Sequence, residues 1–327
     1  MAEPVIMRTV LADSPASLLL KHNELTSPHI RLDFQHVAPV HKAFAPMVRH
    51  EAYDLSELAV VTALQAIAYH RPVLLLPAVV ASRFQRGCLI GYRPRGVPSP
   101  EQLVERRIGV RAYTQTTGMW VRAHLAEDYG LPIERMRWLT RDGAHVEQFA
   151  DPACVEHLDT DASLPDLLRD GTLDAAILGN DLPGDDDFAP VIADAAARDR
   201  AWWMVHRFMP INHMVVASRS FCDREPDAVR EAYRLLAEAD RRTCASDGGP
   251  QPTVFGFDAL RGPVQFVIDR CMEQGLLPHY LDVDEVFGPA RKLLGNAGRS
   301  KQDAPSEPRS PSPHVRCNHL FVKKPQS

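Results

Sequence analysis

The stretch Ile108-Gly-Val-Arg-Ala-Tyr-Thr-Gln-Thr-Thr-Gly-Met-Trp-Val-Arg122 constrains this chain more than any other, because a short apolar β run enters a polar turn and continues as the start of an amphipathic helix. The first turn of a helix leaves backbone N–H groups without intrahelical acceptors and carries the positive end of the helix dipole. The segment Thr114, Gln115, Thr116, Thr117 and Gly118 can therefore hold a carboxylate or phosphate. Arg111, leaving the strand, adds a full charge beside it. Hydroxyls and one amide stand where a nucleotide-binding loop carries its glycines and lysine, which argues against a Walker loop or a GxGxxG fingerprint and favours a small organic anion. An ordinary strand-to-helix connection with a threonine cap would use the same residues.

The same alternation runs through most of the chain. Val5 to Leu11 reads as a strand, followed by the turn Ala12-Asp13-Ser14-Pro15 and a short helix to His22; Ile30 to Val37 alternates like a half-buried strand. A short helix from His41 leads into Arg49-His50-Glu51. Asp54 or Ser56 then caps a helix whose apolar spacing runs through Leu58 and Val61 to Tyr69. Val73 to Val80 is uninterruptedly apolar, as a central strand covered on both faces must be, and Arg83 follows it. Pro94, Pro98, Pro100, Gly91 and Gly96 break the pattern before the central motif. Met136 to Thr140 and Leu173 to Asn180 read as strands, as does Phe208 to Ala217, which Asn212 and His213 interrupt. Leu164 to Arg169 is a short helix, and Pro226–Thr243 and Phe257–Gln274 are long amphipathic ones. Such alternation implies an α/β fold with mainly parallel, helix-covered sheets. Ligands of open α/β sheets gather at the C-terminal strand edges, which makes Asp13 and Ser14, after the first strand, site candidates. Helix capping accounts for Ser14 as well, and a satisfied buried histidine would account for His213.

With 327 residues there is enough chain for two lobes, each with its own core. The formal charge is −5, and the segment from Arg299 to Ser327 holds six Lys/Arg against two Asp/Glu, leaving the body at −9. Nucleic acid is thus not an expected partner. The six cysteines show no C-x-x-C pair and no zinc spacing, the pattern of free thiols in a reducing compartment. Met1 to Arg8 lacks the charged-then-apolar order of an export signal and no stretch reaches membrane-spanning length, so the expected address is cytoplasmic with no membrane partner. The Pro/Ser-rich segment 296–327 reads as a disordered tail. A homo-oligomer is left open.

The runs Val48-Arg-His-Glu-Ala-Tyr-Asp-Leu-Ser-Glu57, Arg107 to Val121, Leu173 to Gly179, Pro210-Ile-Asn-His-Met-Val-Val216 and Gln274-Gly-Leu-Leu-Pro278 together resemble the 4,5-dihydroxyphthalate decarboxylase family, over roughly residues 5 to 290. The most specific block is Val110-Arg-Ala-Tyr-Thr-Gln-Thr-Thr-Gly118. What the resemblance implies is a two-lobed type II periplasmic-binding-protein-like fold, each lobe a mixed, mainly parallel sheet covered by helices. Residues 3–104 plus 211–295 would form one lobe and 105–210 the other. It further implies decarboxylation of a dihydroxylated aromatic dicarboxylate in the cleft between them. The alternative within the same fold is a cytoplasmic solute-binding or sensor protein that closes on a small aromatic or organic anion without chemistry. A thiamin-pyrimidine-synthase-like enzyme would be expected to carry a cysteine cluster, which is missing here.

Direct loss of CO₂ would leave an aryl anion, so a workable route first protonates the ring carbon bearing the carboxylate while a para hydroxyl absorbs the positive charge. That requires a general acid, a group to orient or deprotonate the phenol, and a cationic clamp on the remaining carboxylate. Arg111 and the turn Thr116–Gly118 suit the clamp. His145, after the strand Met136 to Thr140, is the expected proton donor, although a solvated loop histidine would look the same. His213 or Glu51 would handle the phenolic proton, and Ser14, Arg49, His50, Ser56, Arg83, Tyr113, Asn180 and Asn212 would complete the substrate site. No cofactor is expected. His50, Glu51, His145 and His213 are types that could hold a divalent ion against a catechol, but no H-E-x-x-H spacing links them, so a metal is left open.

Overall fold

A computed structural model describes residues 3–179, 182–244 and 248–298. Asn180 and all but the first three residues of the expected tail lie outside the described residues. The chain builds one sheet, crosses to a second and returns. First come the strands β1 (Val5–Val10), β2 (Ile30–Phe34), β3 (Leu55–Ala59) and β4 (Val73–Ser82) with helices α1 (Pro15–Lys21), α2 (Phe44–His50) and α3 (Val60–Ala68). The second sheet follows with β5 (Leu89–Tyr92), β6 (Arg107–Val110), β7 (Arg137–Thr140), β8 (Val155–His157), β9 (Ala175–Ile177) and β10 (Phe188–Pro190), and helices α4 (Thr116–Tyr129), α5 (Leu164–Asp170) and α6 (Ala195–His206). β11 (Ile211–Ser218) and β12 (Val254–Phe255) rejoin the first sheet, with α7 (Arg219–Arg224), α8 (Pro226–Thr243), α9 (Phe257–Glu273) and α10 (Val283–Leu294).

The strand orders are β12-β4-β11-β3-β1-β2 and β10-β5-β9-β6-β7-β8, six strands in each sheet. In both, the strand that arrives from the other sheet, β11 or β5, inserts antiparallel among parallel neighbours. This is the two-lobed binding-protein architecture, with mixed sheets in which most strands share one direction. β5 pairs with β9 and β10, so the chain changes sheets between Ser82 and Leu89 and not near residue 104. The prolines and glycines that obscure this short strand lie beside it: a Cβ on Gly91 would meet Val97 Cγ1 at 3.1 Å.

Leu55 to Ala59 is strand, where helical spacing predicted the opening of a helix. All five residues are buried, and β3 pairs in parallel with β1 and antiparallel with β11. Pairing with β11 along all five residues and with β1 at Leu55 and Ser56 gives the backbone its hydrogen-bond partners, and tertiary context of that kind outweighs local propensity. The helix starts only at Val60, without a side-chain cap, and is buried along nearly its whole length. Each fully buried Val or Leu there contributes roughly 1.5–3 kcal/mol, enough to offset the missing cap. The core is continuous across the two sheets, and Arg86, 2% exposed, fixes the crossing by binding Asp128 of α4 and Asp199 of α6.

Candidate functional site

The C-terminal edges of the parallel strands of both sheets open onto one cleft of about 580 Å³. The first sheet contributes the loop after β1 (Leu11–Asp13), the loop after β2 (Gln35–His41), Thr62 of α3, Arg83 after β4, and Asn212 and His213 at the start of β11. Arg111, Gln115, Thr116 and Thr117 face them from the β6–α4 turn, with Arg141 and His145 after β7, Ser163 to Pro165 at the start of α5, and Ile177 to Gly179. The α4 N-terminus thus faces the cleft, as its strand-to-helix signature predicts.

Cationic groups dominate the lining. Arg111 is braced by Asp142 at 3.0 Å, Arg83 donates to Thr117 Oγ1 at 2.9 Å, and Arg141 Nη1 donates to the Ala162 carbonyl at 2.8 Å. Gln115 is the N-cap of α4 but makes no side-chain cap bond, and its buried Oε1 has no partner among the described residues. Lys21 and Asp13 pair with each other at 2.6 Å.

The two predicted histidines are both brought into the cleft, each against Phe44, whose ring meets His145 and His213 edge-on at centroid distances of 5.6 and 5.2 Å. His145 Nδ1 lies 2.9 Å from Thr62 Oγ1. Burial, reinforced by the nearby charges of Arg111, His41 and Arg49, pulls its imidazole from 6.5 down to about 4. His213 Nδ1 lies 2.8 Å from Glu57 Oε1, and Glu57 Oε2 accepts the Ala12 N–H at 2.8 Å.

Several expected site residues serve the scaffold instead. Glu51 caps α2 in the left-handed region at φ 48° and accepts the Ser220 N–H at 2.8 Å, which ties it to α7 away from the cleft. His50 is exposed at the end of α2. Neither therefore shares a ligand set with His145 and His213, and among the described residues no group of three His, Cys, Asp or Glu is placed to hold a metal ion. Arg49 is absent from the lining and instead binds the His145 and Ala144 carbonyls and pairs with Glu147. Ser56 is buried in β3 and donates to the Glu57 carbonyl. Ser14 caps α1 and borders a smaller recess of about 220 Å³ that shares Ala12, Asn212 and His213 with the main cleft. Thr114 is buried in the turn but does not line the cleft. Tyr113 packs against the guanidinium of the buried Arg122, 4.0 Å from its ring centroid, and a Cβ on Gly118 would meet the same guanidinium at 3.2 Å. Both support the turn from beneath.

Glu57, Thr62, Arg141, His36 and His41 were not anticipated. Arg141 follows β7 just as His145 does, so the strand-edge rule could have found it. The other signals were weaker, since Glu57 sat in a segment with helical spacing and the histidines are two of fourteen.

Fold and cleft together define a two-lobed, binding-protein-like α/β protein with an arginine-lined cleft between the lobes. Among solved structures it is similar to the alkanesulfonate-binding protein SsuA from Xanthomonas axonopodis pv. citri bound to MOPS, with a TM-score of 0.55 and 14% identity, covering 88% of this chain and 99% of that one. At that identity the likeness concerns the fold alone. No family model matches the chain. Two curated proteins, each named 4,5-dihydroxyphthalate decarboxylase, are similar in sequence. The one from Comamonas testosteroni is 23% identical over 187 residues, covering 53% of this chain and 56% of that protein. The one from Pseudomonas putida is 26% identical over 190 residues, covering 54% of this chain and 72% of that protein. The match thus spans little more than half the length of the first relative. The likeness to this family agrees with the resemblance read from the sequence motifs. Among the described residues, no helix is long and apolar enough to cross a membrane.

Proposed function

We propose that this protein decarboxylates a dihydroxylated aromatic dicarboxylate of the 4,5-dihydroxyphthalate type, by protonating the ring carbon that carries the departing carboxylate. The observation that carries the reading is one cleft combining three arginines, the α4 N-terminus and two histidines packed against Phe44. Its volume of about 580 Å³ is in the range of small-molecule sites. Two curated proteins of that name support the choice of reaction.

In this reading Arg111 and the first-turn amides of α4 clamp the carboxylate that stays, a guanidinium offering two parallel donors to one carboxylate. Arg83 and Arg141 neutralise the second carboxylate until it leaves. His145, pulled to about 4, is uncharged at neutral pH and serves as acceptor for the phenolic proton, not as the acid expected of it. His213 is then the donor. Its imidazolium gives a proton to the ring carbon, the C–C bond breaks with its electron pair returning to the ring, CO₂ leaves, His145 returns its proton to the phenolate oxygen, and the neutral His213 imidazole is reprotonated from water.

The test is incubation of the purified protein with 4,5-dihydroxyphthalate while CO₂ and the monocarboxylate are measured. Stoichiometric appearance of both is expected. Tight binding without CO₂ would instead favour a solute-binding or sensor protein for aromatic anions.

A further inference from the structure

Glu57 is 3% exposed in the middle of a central strand, a place where an apolar side chain would serve the fold better. Burying a carboxylate is costly unless hydrogen bonds and an opposite charge compensate it. Its carboxylate accepts the Ala12 N–H on Oε2 and meets the His213 ring on Oε1, both at 2.8 Å. β-sheet register explains the reach. Glu57 lies opposite Val215, so His213, two residues along β11, projects from the same sheet face as its diagonal neighbour. His213 in turn lines the cleft and is flanked by Phe44.

We propose that Glu57 is the positioning residue for His213: its carboxylate accepts the Nδ1–H and thereby keeps Nε2 turned to the cleft as the atom that carries the proton to the substrate. The proposal rests on the decarboxylation reading for its use in turnover, while the tautomer it fixes is a property of the protein alone. A carboxylate only accepts, so the imidazole nitrogen facing it must carry hydrogen. The neutral ring then exposes the Nε2 lone pair, and the protonated ring exposes Nε2–H with its charge balanced by Glu57. The Ala12 amide makes the arrangement one-sided. In Glu57→Gln the amide oxygen is required by the Ala12 N–H, so the NH₂ faces Nδ1, and a donor stands where an acceptor stood. The neutral ring is forced into the opposite tautomer, and the charged ring meets an unfavourable neighbour.

Nitrogen NMR on selectively labelled histidine, with the His213 signals assigned by their loss in His213→Gln, reads the tautomer directly. The wild-type protein is expected to show Nδ1–H, and Glu57→Gln to show Nε2–H with kcat lowered about a hundredfold or more, within the range for general acid–base groups, and KM changed little. Glu57→Asp, which keeps an acceptor, should recover part of kcat. An Nε2–H tautomer in the wild type, a measurement that requires no variant to fold, overturns the proposal, as does undiminished kcat in a folded Glu57→Gln. If the wild type releases no CO₂ from 4,5-dihydroxyphthalate, the decarboxylase reading fails, and the tautomer measurement still decides whether Glu57 sets His213.

Discussion

Arg49 holds the backbone of His145 from the opposite sheet. Its Nε donates to the His145 carbonyl at 2.8 Å and its Nη2 to the Ala144 carbonyl at 3.1 Å, while the His145 ring reaches Thr62 of α3. His145 thus belongs by sequence to the loop after β7, yet α2 and α3 fix its position.

Replacing Arg49 with alanine removes two charge-assisted hydrogen bonds, each typically worth about 1.5–3 kcal/mol. Its ion pair with Glu147 is exposed and adds little. The expected result is faster hydrogen exchange over residues 142–149 and a roughly tenfold or greater loss of kcat/KM, since about 1.4 kcal/mol of misplacement is enough for that. Unchanged exchange in this loop would show that Arg49 does not hold it.

Arg111→Ala should weaken binding of an aromatic dicarboxylate by about 2–5 kcal/mol, the usual consequence of truncating one partner of a buried charge pair. Calorimetric titration reads this directly. The Asp142 carboxylate that braces Arg111 is half exposed, so the substitution should cost little stability. Equal affinity in variant and wild type would remove Arg111 from the clamp.

His145 makes stability depend on pH in a defined direction. Its native value of about 4 lies below the ordinary 6.5, so as pH falls the unfolded chain binds the proton first. This contribution is complete above about 6.5 and is lost as pH falls toward 4. Urea denaturation of His145→Gln should therefore show a shallower decline in stability across that window. Identical slopes would mean that His145 is not protected from protonation.

Arg86→Ala should be among the most damaging single changes, at about 3–5 kcal/mol, because it leaves two carboxylates, Asp128 and Asp199, without their cation. Arg86→Lys should recover only part of this, since one ammonium cannot reproduce the bidentate fork on Asp128 while also reaching Asp199. A thermal melt distinguishes the three proteins.

What the chain determined by itself is local and periodic. Apolar runs such as Val73 to Val80 define strands wherever they are placed. The helix over Pro226 to Thr243 appears with the boundaries its amphipathic spacing predicts. The turn from Arg111 to Thr117 carries the open first-turn amides of α4 in its own backbone, so its place at a strand edge was legible before any neighbour was known. Tertiary structure decided what depends on partners. Leu55 to Ala59 became strand because β1 and β11 lie on either side of it, and Glu57 acquired a role only when β11 brought His213 within hydrogen-bond distance. Glu51 and Arg49 adjoin the same stretch, yet packing assigned one to a helix cap and the other to the His145 loop. Residue type and spacing specify what a side chain can do, whereas the sheet crossing after Ser82 selects which side chains meet across the cleft.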